Sequence, residues 1–569
     1  MQAPEHTAGS RGSTHPQGRA GAGSVPQTVA SLLWLPQAGL LAHALQSLLE
    51  GGGARAVVWP AAMLLALGLA RGGLEAWGLR RSFRAACERL GDLRAQVARA
   101  LAARSPLDAA RPASGLAASV MAEQAEAVVP YLTRYQPARC KALVVPLAIL
   151  AAVFPLSWIA ALVLLVAAPL IPVFMALVGW RAKAASEAQM VEIGGMNAFL
   201  LDRLRGLASL RALGAVDFTA QRLRAAGDSL RRRTMAVLRI AFLSSAVLEL
   251  FAALGVAMVA AYVGFHLLGQ LNYGAWGVRL SLGQGLFVLL LAPAFFEPLR
   301  ELSLVWHDRA AGEAALAAMA RLSEAGTALP GANDAAVPPM AASRAARPPA
   351  LCVRALEFSH AGTGGAVFDG LDFDVAAGEH VALLADSGAG KTTLLSLLAG
   401  LVPVQGGSIR IGDETMSAAT ASRLRQRTAW LGQKPHIFAG TVQANVALGQ
   451  PGVGAAEVST AMWFAALGAT AQAHAGAMLG EGGVGLSGGE AVRLALARAV
   501  VRPQADLLLV DEPTAHLDAA TAEAVTEALL QLAHGKTMLV ATHDPVLAAR
   551  LDRSLRLHAG LIEASEVTP

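Results

Sequence analysis

The chain has 569 residues, with 54% of them hydrophobic, only 15% charged, and 46 Lys and Arg set against 41 Asp and Glu. A mean hydropathy of +0.48 excludes an ordinary soluble protein, and the length calls for more than one domain. Three scattered cysteines, Cys87, Cys140 and Cys352, exclude a disulfide framework or a zinc cluster, and a net charge of +5 without basic residues interleaved with aromatics excludes a nucleic-acid binder.

Residues 1–27 are rich in Gly, Ser and Pro, lack the apolar core of a signal peptide, and read as a disordered tail. From 28 to 322 the sequence predicts an α-helical membrane domain. Crossing a bilayer takes about 20 apolar residues, and six stretches meet that need, near 28–49, 54–79, 128–154, 156–180, 240–267 and 280–305. The third carries Arg134, Arg139 and Lys141 in its first half. Arginines crowd the connections between the second and third spans and between the fourth and fifth, while the opposite connections hold almost none. The excess of positive charge places both long loops, and both termini, in the cytoplasm. The second loop keeps a helical period, with Leu200, Leu204, Leu207, Leu210 and Leu213 on one face. Both loops therefore read as spanning helices prolonged below the membrane, with a short cross-helix at each turn.

Residues 323–349, dominated by Ala, Pro, Gly and Ser, are a linker, and 350–569 read as a soluble α/β domain. There, an apolar strand is followed by Ala385-Asp386-Ser387-Gly388-Ala389-Gly390-Lys391-Thr392, a near match to the phosphate-binding loop. Backbone N–H groups of Ser387, Gly388, Ala389 and Gly390 at a helix start can wrap phosphates. Lys391 adds a point charge, the Thr392 hydroxyl would ligate Mg²⁺, and Thr393 continues the nucleotide-contacting turn. Ala385 stands where the motif begins with Gly. It ends the strand and cradles no phosphate, so its methyl group is tolerable. Further on come Leu486-Ser487-Gly488-Gly489-Glu490 and the buried strand 507–510 ending in Asp511-Glu512. Asp511 would hold Mg²⁺ through water, and Glu512 can orient or deprotonate an attacking water.

The order of phosphate loop, Leu-Ser-Gly-Gly and strand-ending Asp-Glu resembles the nucleotide-binding domain of ATP-binding-cassette (ABC) proteins. The six spans with two long inward loops resemble ABC exporters of the half-transporter type. The resemblance implies a six-helix transmembrane domain followed by an α/β P-loop ATPase that uses ATP and Mg²⁺. It implies that Gln433 completes the Mg²⁺ sphere and that His543 contacts the γ-phosphate and the water. Ser487, Gly488, Gly489 and Glu490 would close on a partner's nucleotide, and Asp518 would lie in the loop that crosses the interface. His360 stands where relatives carry an adenine-stacking Tyr. Glu490 replaces the more usual Gln, with a modest effect expected. Glu512, His543 and Lys391 are the catalytic set.

Within that family, residues 168–179, 199–206, 233–245 and 291–300 resemble the D subunit of the CydDC-type exporters. These are bacterial inner-membrane heterodimers linked to cytochrome bd assembly and associated with cysteine, glutathione and haem. A related C-type half-transporter would then be the partner. An intact Leu-Ser-Gly-Gly is more like the C subunit, which leaves the division of labour between two ATP sites open. Ionisable residues in the spans, Arg71, Glu75, Glu249, Glu297 and Arg300, either bind cargo carboxylates or pair structurally. His43 and His266 are candidate haem ligands or helix-end residues, and Cys140 is a candidate exchange thiol. Rival readings are a homodimeric lipid or drug exporter, and a membrane-anchored regulatory ATPase without transport.

Overall fold

The structure, a computed structural model, describes residues 23–53, 55–169, 196, 199–200, 203, 206–276, 279–332, 348–360, 365–386, 388–450, 452–467, 479–480, 486–558 and 560–565. The chain separates into two compact units. One holds the residues up to Ala95 together with Gly115–Arg321, and the other holds Gln96–Ser114 together with the residues from Leu322 onward.

The first unit is helical. Among the described residues five segments are long and apolar enough to cross a membrane: Ser24–Leu49, Arg55–Ala102, Ser114–Val153, Glu249–Leu267 and Leu282–Leu322. Of the expected fourth span, Trp158–Pro169 is an apolar helix, and 170–180 lies outside the described residues. The first helix begins at Ser24, inside the stretch expected to be a tail. Its early polar residues are buried, and Gln27 Nε2 donates to Ser82 Oγ at 3.4 Å on the following long helix.

Two helices far exceed a bilayer. Arg55–Ala102 has 48 residues and Val216–Leu267 has 52, about 72 and 78 Å at 1.5 Å per residue, against a hydrocarbon core of about 30 Å. The expected prolongation of spanning helices is therefore present. The cross-helix expected at the first inward turn is not. Pro106 and Pro112 remove helical hydrogen bonds there, and Ser105 and Asp108 cap turns, Ser105 Oγ accepting from Leu107 N at 3.2 Å and Asp108 Oδ1 from Ala110 N at 3.0 Å. In the second loop the leucine period is interrupted at Gly206. Leu207–Ala212 forms a separate six-residue helix, and Leu204 lies outside the described residues.

The first unit's core joins Ala38, Ile149, Leu164, Val259, Phe295 and Phe296. Small residues let the helices close up. A Cβ at Gly255 would lie 2.5 Å from Phe296 Cζ. Two of the three charges in the first half of the third span are paired: Lys141 Nζ lies 3.3 Å from Glu301, and Arg134 lies 3.4 Å from Asp308. Tyr131–Tyr135 forms a π-turn just before the Gln136–Val153 helix, with the two tyrosine rings stacked at 5.7 Å.

The second unit contains two sheets. Strands β1 (Leu351–Phe358), β2 (Phe368–Val375), β4 (Gly406–Ile411) and β5 (Glu414–Thr415) form an antiparallel sheet in the order β2-β1-β4-β5. Strands β3 (His380–Leu384), β6 (Thr428–Leu431), β7 (Leu507–Asp511), β8 (Thr537–Thr542), β9 (Arg553–His558) and β10 (Leu561–Ser565) form the sheet β10-β9-β3-β8-β7-β6, parallel except for β10. Its central strands are buried on both faces, as their unbroken apolar runs require. Val381, Leu383, Leu507, Leu509 and Leu539 pack toward the antiparallel sheet, while Ala382, Leu508, Val510, Met538 and Val540 pack on the opposite side. That is the alternation of a strand sandwiched between two layers.

The first inward turn belongs to this unit, so the chain is not divided once at the linker as expected. Ser105 N donates to Thr327 O and Leu329 N to Ala103 O, each at 2.9 Å, and Ser105 Oγ donates to Leu401 O at 2.7 Å. These bonds order the linker as far as residue 332; 333–347 lie outside the described residues.

The substitution Gly255→Ala is expected to destabilise the first unit by about 1–3 kcal/mol through overpacking. Thermal unfolding of the detergent-solubilised protein would show a lower midpoint, and Phe296→Leu in the same chain should restore most of it.

Candidate active site

The parallel ladder decides which loops meet. β8 lies between β3 and β7, pairing Leu384 with Thr542 and Asp511 with Ala541. The segments that leave the C-terminal ends of these three strands therefore emerge on one edge, where ligands of open α/β sheets bind. They carry Lys391 and Thr392, Asp511 and Glu512, and His543.

The loop after β3 turns into the Lys391–Leu398 helix through Gly388 and Gly390, at φ 85° and 100°. Gly390 is required twice over, because a Cβ there would also stand 2.8 Å from Val367 Cγ1. Ser387 lies outside the described residues. Ala385 packs on the core beneath, and its carbonyl accepts from Lys391 Nζ at 2.7 Å, so its methyl group points away from the loop's work. Thr392 Oγ1 donates to Asp511 Oδ2 at 2.7 Å. Burial pushes the Asp511 carboxyl above its ordinary value, although the Thr392 hydrogen bond favours the ion.

Glu512 follows with φ +48°, a left-handed backbone uncommon for a residue with a side chain, held by Glu512 N donating to Ala541 O at 2.8 Å. Such strain costs on the order of 1–3 kcal/mol and collects at working sites. The Glu512 carboxylate is 9% exposed, lies 3.3 Å from Lys391 Nζ, and is in direct contact with Nδ1 of the more exposed His543. One carboxylate thus joins the phosphate loop to the segment after β8. Such a group is placed to polarise a water at the end of a phosphate chain.

The remaining expected residues are distributed as follows. His360 Nε2 lies 3.2 Å from Thr393 Oγ1, with its ring edge-on to Phe358 at 5.1 Å, so it does stand beside the phosphate-loop helix. Gln433 is exposed, two residues beyond β6 on the strand next to β7. Ser487 caps the Gly488–Val500 helix: Ser487 Oγ accepts from Glu490 N at 3.3 Å, and Glu490 Oε2 accepts from Ser487 N at 2.7 Å. Glu490 is thereby one half of a capping box. The small residues here differ in what they serve. A Cβ on Gly489 would lie 2.6 Å from Thr521 Cγ2 of the same chain, whereas Gly488 has nothing within 4 Å. Closeness to another molecule can explain Gly488; Gly489 is small for packing. Asp518 caps the Ala519–Ala533 helix by accepting from Thr521 N at 3.0 Å, and its hydrogen bonding to Thr521 holds its carboxyl below the ordinary value.

Two positioning pairs escaped the sequence reading. Buried Thr514 donates to Asp544 Oδ2 at 2.9 Å, tying the turn after Glu512 to the residue after His543. Arg498, on the Ser487-capped helix, donates to His436 O at 2.7 Å and to Asn445 O at 2.8 Å, fixing the segment that follows Gln433; burial lowers its guanidinium. Thr514 and Asp544 each sit next to a motif in sequence and could have been suspected. Nothing in the sequence singles out Asn445.

In the membrane unit, Arg71 lies over the Trp34 ring at 5.7 Å, and among the described residues no ion pair joins it to Glu75. Arg300 is bound by Glu249 and Glu297. Buried His266 accepts from Leu280 N at Nε2, 3.2 Å away, so that nitrogen is occupied within the protein. His43 is exposed at a crevice of about 400 Å³ that it shares with Gln46 and Gln284. Cys140 is half-buried.

Comparison with known proteins follows this geometry. Residues 22–290 match the ABC transporter transmembrane region, and 368–515 match the ABC transporter family. The chain is 37% identical to the glutathione/L-cysteine transport system ATP-binding/permease protein CydD of Haemophilus influenzae, over 76% of this chain and 72% of that one. It is 36% identical to the transport ATP-binding protein AarD of Providencia stuartii, over 90% and 87%. A solved bacterial Atm1-family ABC exporter with ATP bound has the same fold, with a TM-score of 0.72 at 23% identity, covering 95% of this chain and 93% of that one.

Two outcomes follow. A raised Asp511 value means the folded state holds a proton more tightly than the unfolded chain, so Asp511 withdraws stability as pH rises from about 3.9 through its folded value. Asp511→Asn is therefore expected to melt higher than wild type at pH 7.5 without nucleotide or Mg²⁺, the gap closing toward acid pH, while ATPase activity is lost. Gly489→Ala should lower the melting midpoint, and Gly488→Ala should not, because Ala is the better helix former by up to about 1 kcal/mol and its Cβ meets nothing within 4 Å, while ATP-dependent association weakens.

Proposed function

The chain belongs to the ABC transporters, as a multi-pass membrane protein that couples ATP hydrolysis to export, and on that premise we propose that it exports small thiols, cysteine and glutathione, as the D-type half of a heterodimer. The observation that carries this reading is the 36–37% identity, over 76% and 90% of the chain, to proteins that include a named glutathione/L-cysteine transporter subunit. The setting is the bacterial inner membrane with both termini in the cytoplasm, supported by the arginine-rich inward loops. The occupied Nε2 of His266 counts against that residue as a haem ligand.

In the cycle, the loop 387–390 and Lys391 bind the phosphates of ATP, and His360 lies beside the helix that follows that loop to meet the base. Thr392 Oγ1 and the Asp511 carboxylate, 2.7 Å apart, are hard oxygen donors that suit Mg²⁺. With Gln433 they would hold the ion, whose charge offsets that of the β- and γ-phosphates when bound. Glu512 orients the attacking water and accepts its proton. His543 holds the Glu512 carboxylate in place, and the Thr514–Asp544 bond keeps both loops in register. Ser487 and Gly488 lie at the exposed start of their helix and would complete the site of a partner subunit, with Asp518 in the loop at that interface. ATP drives transport because it binds the closed arrangement of the two ATPase domains more tightly than the open one. Closure is passed to the spans through the long prolonged helices.

The test uses the complex purified with its co-expressed partner in lipid nanodiscs. Cysteine and glutathione should each stimulate ATP turnover, and haem should not. Glu512→Gln should bind ATP yet lose at least 100-fold in turnover, the scale on which a positioned general base acts. Stimulation by haem alone, or a stable fully active homodimer, would overturn the thiol-exporting heterodimer.

A further inference from the structure

Charged residues at membrane depth are expensive and almost always face another charge or a water-filled path. The prolonged fifth-span helix and the Leu282–Leu304 helix bring three together. Arg300 Nη2 lies 2.6 Å from Glu297 Oε2 on its own helix, and Arg300 Nη1 lies 3.3 Å from Glu249 Oε2 on the other. Next in sequence, Glu301 pairs with Lys141, which is only 9% exposed. That second pair is balanced, one cation for one carboxylate, with its lysine buried and Glu301 42% exposed. The triad is not balanced: it has one cation for two carboxylates, and all three side chains are accessible, 40%, 60% and 64% exposed for Arg300, Glu297 and Glu249. Glu249 opens the apolar run Glu249–Leu267; Leu250 and Leu254 on that helix, and Leu304 one turn beyond Arg300 on its own helix, are more than half exposed. An accessible cation shared by two carboxylates keeps charge available for a ligand.

We propose that Arg300 and Glu249 form a recognition site for a free amino-acid head group, Arg300 taking the α-carboxylate and Glu249 the α-ammonium. The two contacts of Arg300 differ in the way this requires. Glu297 holds it by the short bond one helical turn away and fixes the direction of the guanidinium fork. Glu249, at the longer distance and on the neighbouring helix, is the partner that exchanges. A ligand carrying both charges replaces the Glu249–Arg300 contact with two charge-assisted ones and leaves neither residue unpaired. A ligand with only a carboxylate strands Glu249, and one with only an ammonium competes with Arg300. The site therefore selects zwitterions: free cysteine and the γ-glutamyl end of glutathione carry this group, and haem lacks the ammonium.

This assignment rests on the thiol-export reading, and the experiment separates the two. ATPase stimulation of the co-purified complex in nanodiscs would be titrated with cysteine, glutathione, N-acetylcysteine, cysteamine and haem. Wild type should need about tenfold more N-acetylcysteine or cysteamine than cysteine for half-maximal stimulation, the scale of one lost charge-assisted hydrogen bond. Glu249→Gln, which keeps the shape and a hydrogen-bond acceptor, should raise the half-maximal cysteine and glutathione concentrations about tenfold. Arg300→Lys should do the same, with co-purification of the partner and an unchanged melting midpoint showing that both variants fold. The proposal falls, with thiol export intact, if cysteine stimulates but Glu249→Gln and Arg300→Lys respond like wild type, or if cysteamine or N-acetylcysteine equals cysteine. If haem stimulates and none of the thiols does, both fall together.

Discussion

The parallel register of β3, β8 and β7 is the constraint on which the catalytic end depends. Pairing Leu384 with Thr542 and Asp511 with Ala541 puts the phosphate loop, the Asp511-Glu512 step and His543 on a single edge. A slip of one residue in either ladder would turn each strand's side chains to the opposite layer. It would exchange Leu383 and Leu509 with Ala382 and Val510 across the sheet, so the cores on both sides defend the site's geometry. The left-handed backbone at Glu512 survives for the same reason. Its N–H is committed to the Ala541 carbonyl of the neighbouring strand.

In the membrane unit the controlling physics is the cost of charge away from water. Lys141 and Arg134, charges carried in the first half of the third span, are answered by Glu301 and Asp308 on the last segment. Helix 114–153 can therefore enter the bilayer as part of a packed assembly, though it would be a poor crossing helix alone. The same logic distinguishes the Lys141–Glu301 pair, whose lysine is buried, from the open Arg300 triad. The first is architecture, and the second has capacity left for something else.

Much of this was legible in the chain. Apolar runs of bilayer length and the three ATPase motifs in order located both halves and nearly every residue at the edge of the sheet. Other features were hidden for physical reasons. The helical start at Ser24 depends on Gln27 meeting Ser82, a contact between residues far apart in sequence. The first inward turn joined the second unit because its backbone pairs with Thr327 and Leu329, and backbone pairing leaves no compositional trace. Its cross-helix failed at Pro106 and Pro112, which remove helical hydrogen bonds. The reason for Gly489 also needed coordinates, since only the packing of Thr521 shows which of two adjacent glycines is held by its own chain.

The capping box at Ser487 has an electrostatic consequence. A glutamine at 490 could accept the same hydrogen bond from Ser487 N, so the helix would start equally well with either side chain. What the carboxylate adds is a full negative charge at an N-terminus whose free N–H groups would otherwise attract anions. Any polyphosphate approaching this edge meets repulsion that a glutamine would not supply, felt over a screening length of about 10 Å at 0.1 M salt. Two otherwise matched half-sites, one bearing Glu and one Gln, would thus differ in their sensitivity to ionic strength, and a dimer built from them would be lopsided without the loss of any catalytic group.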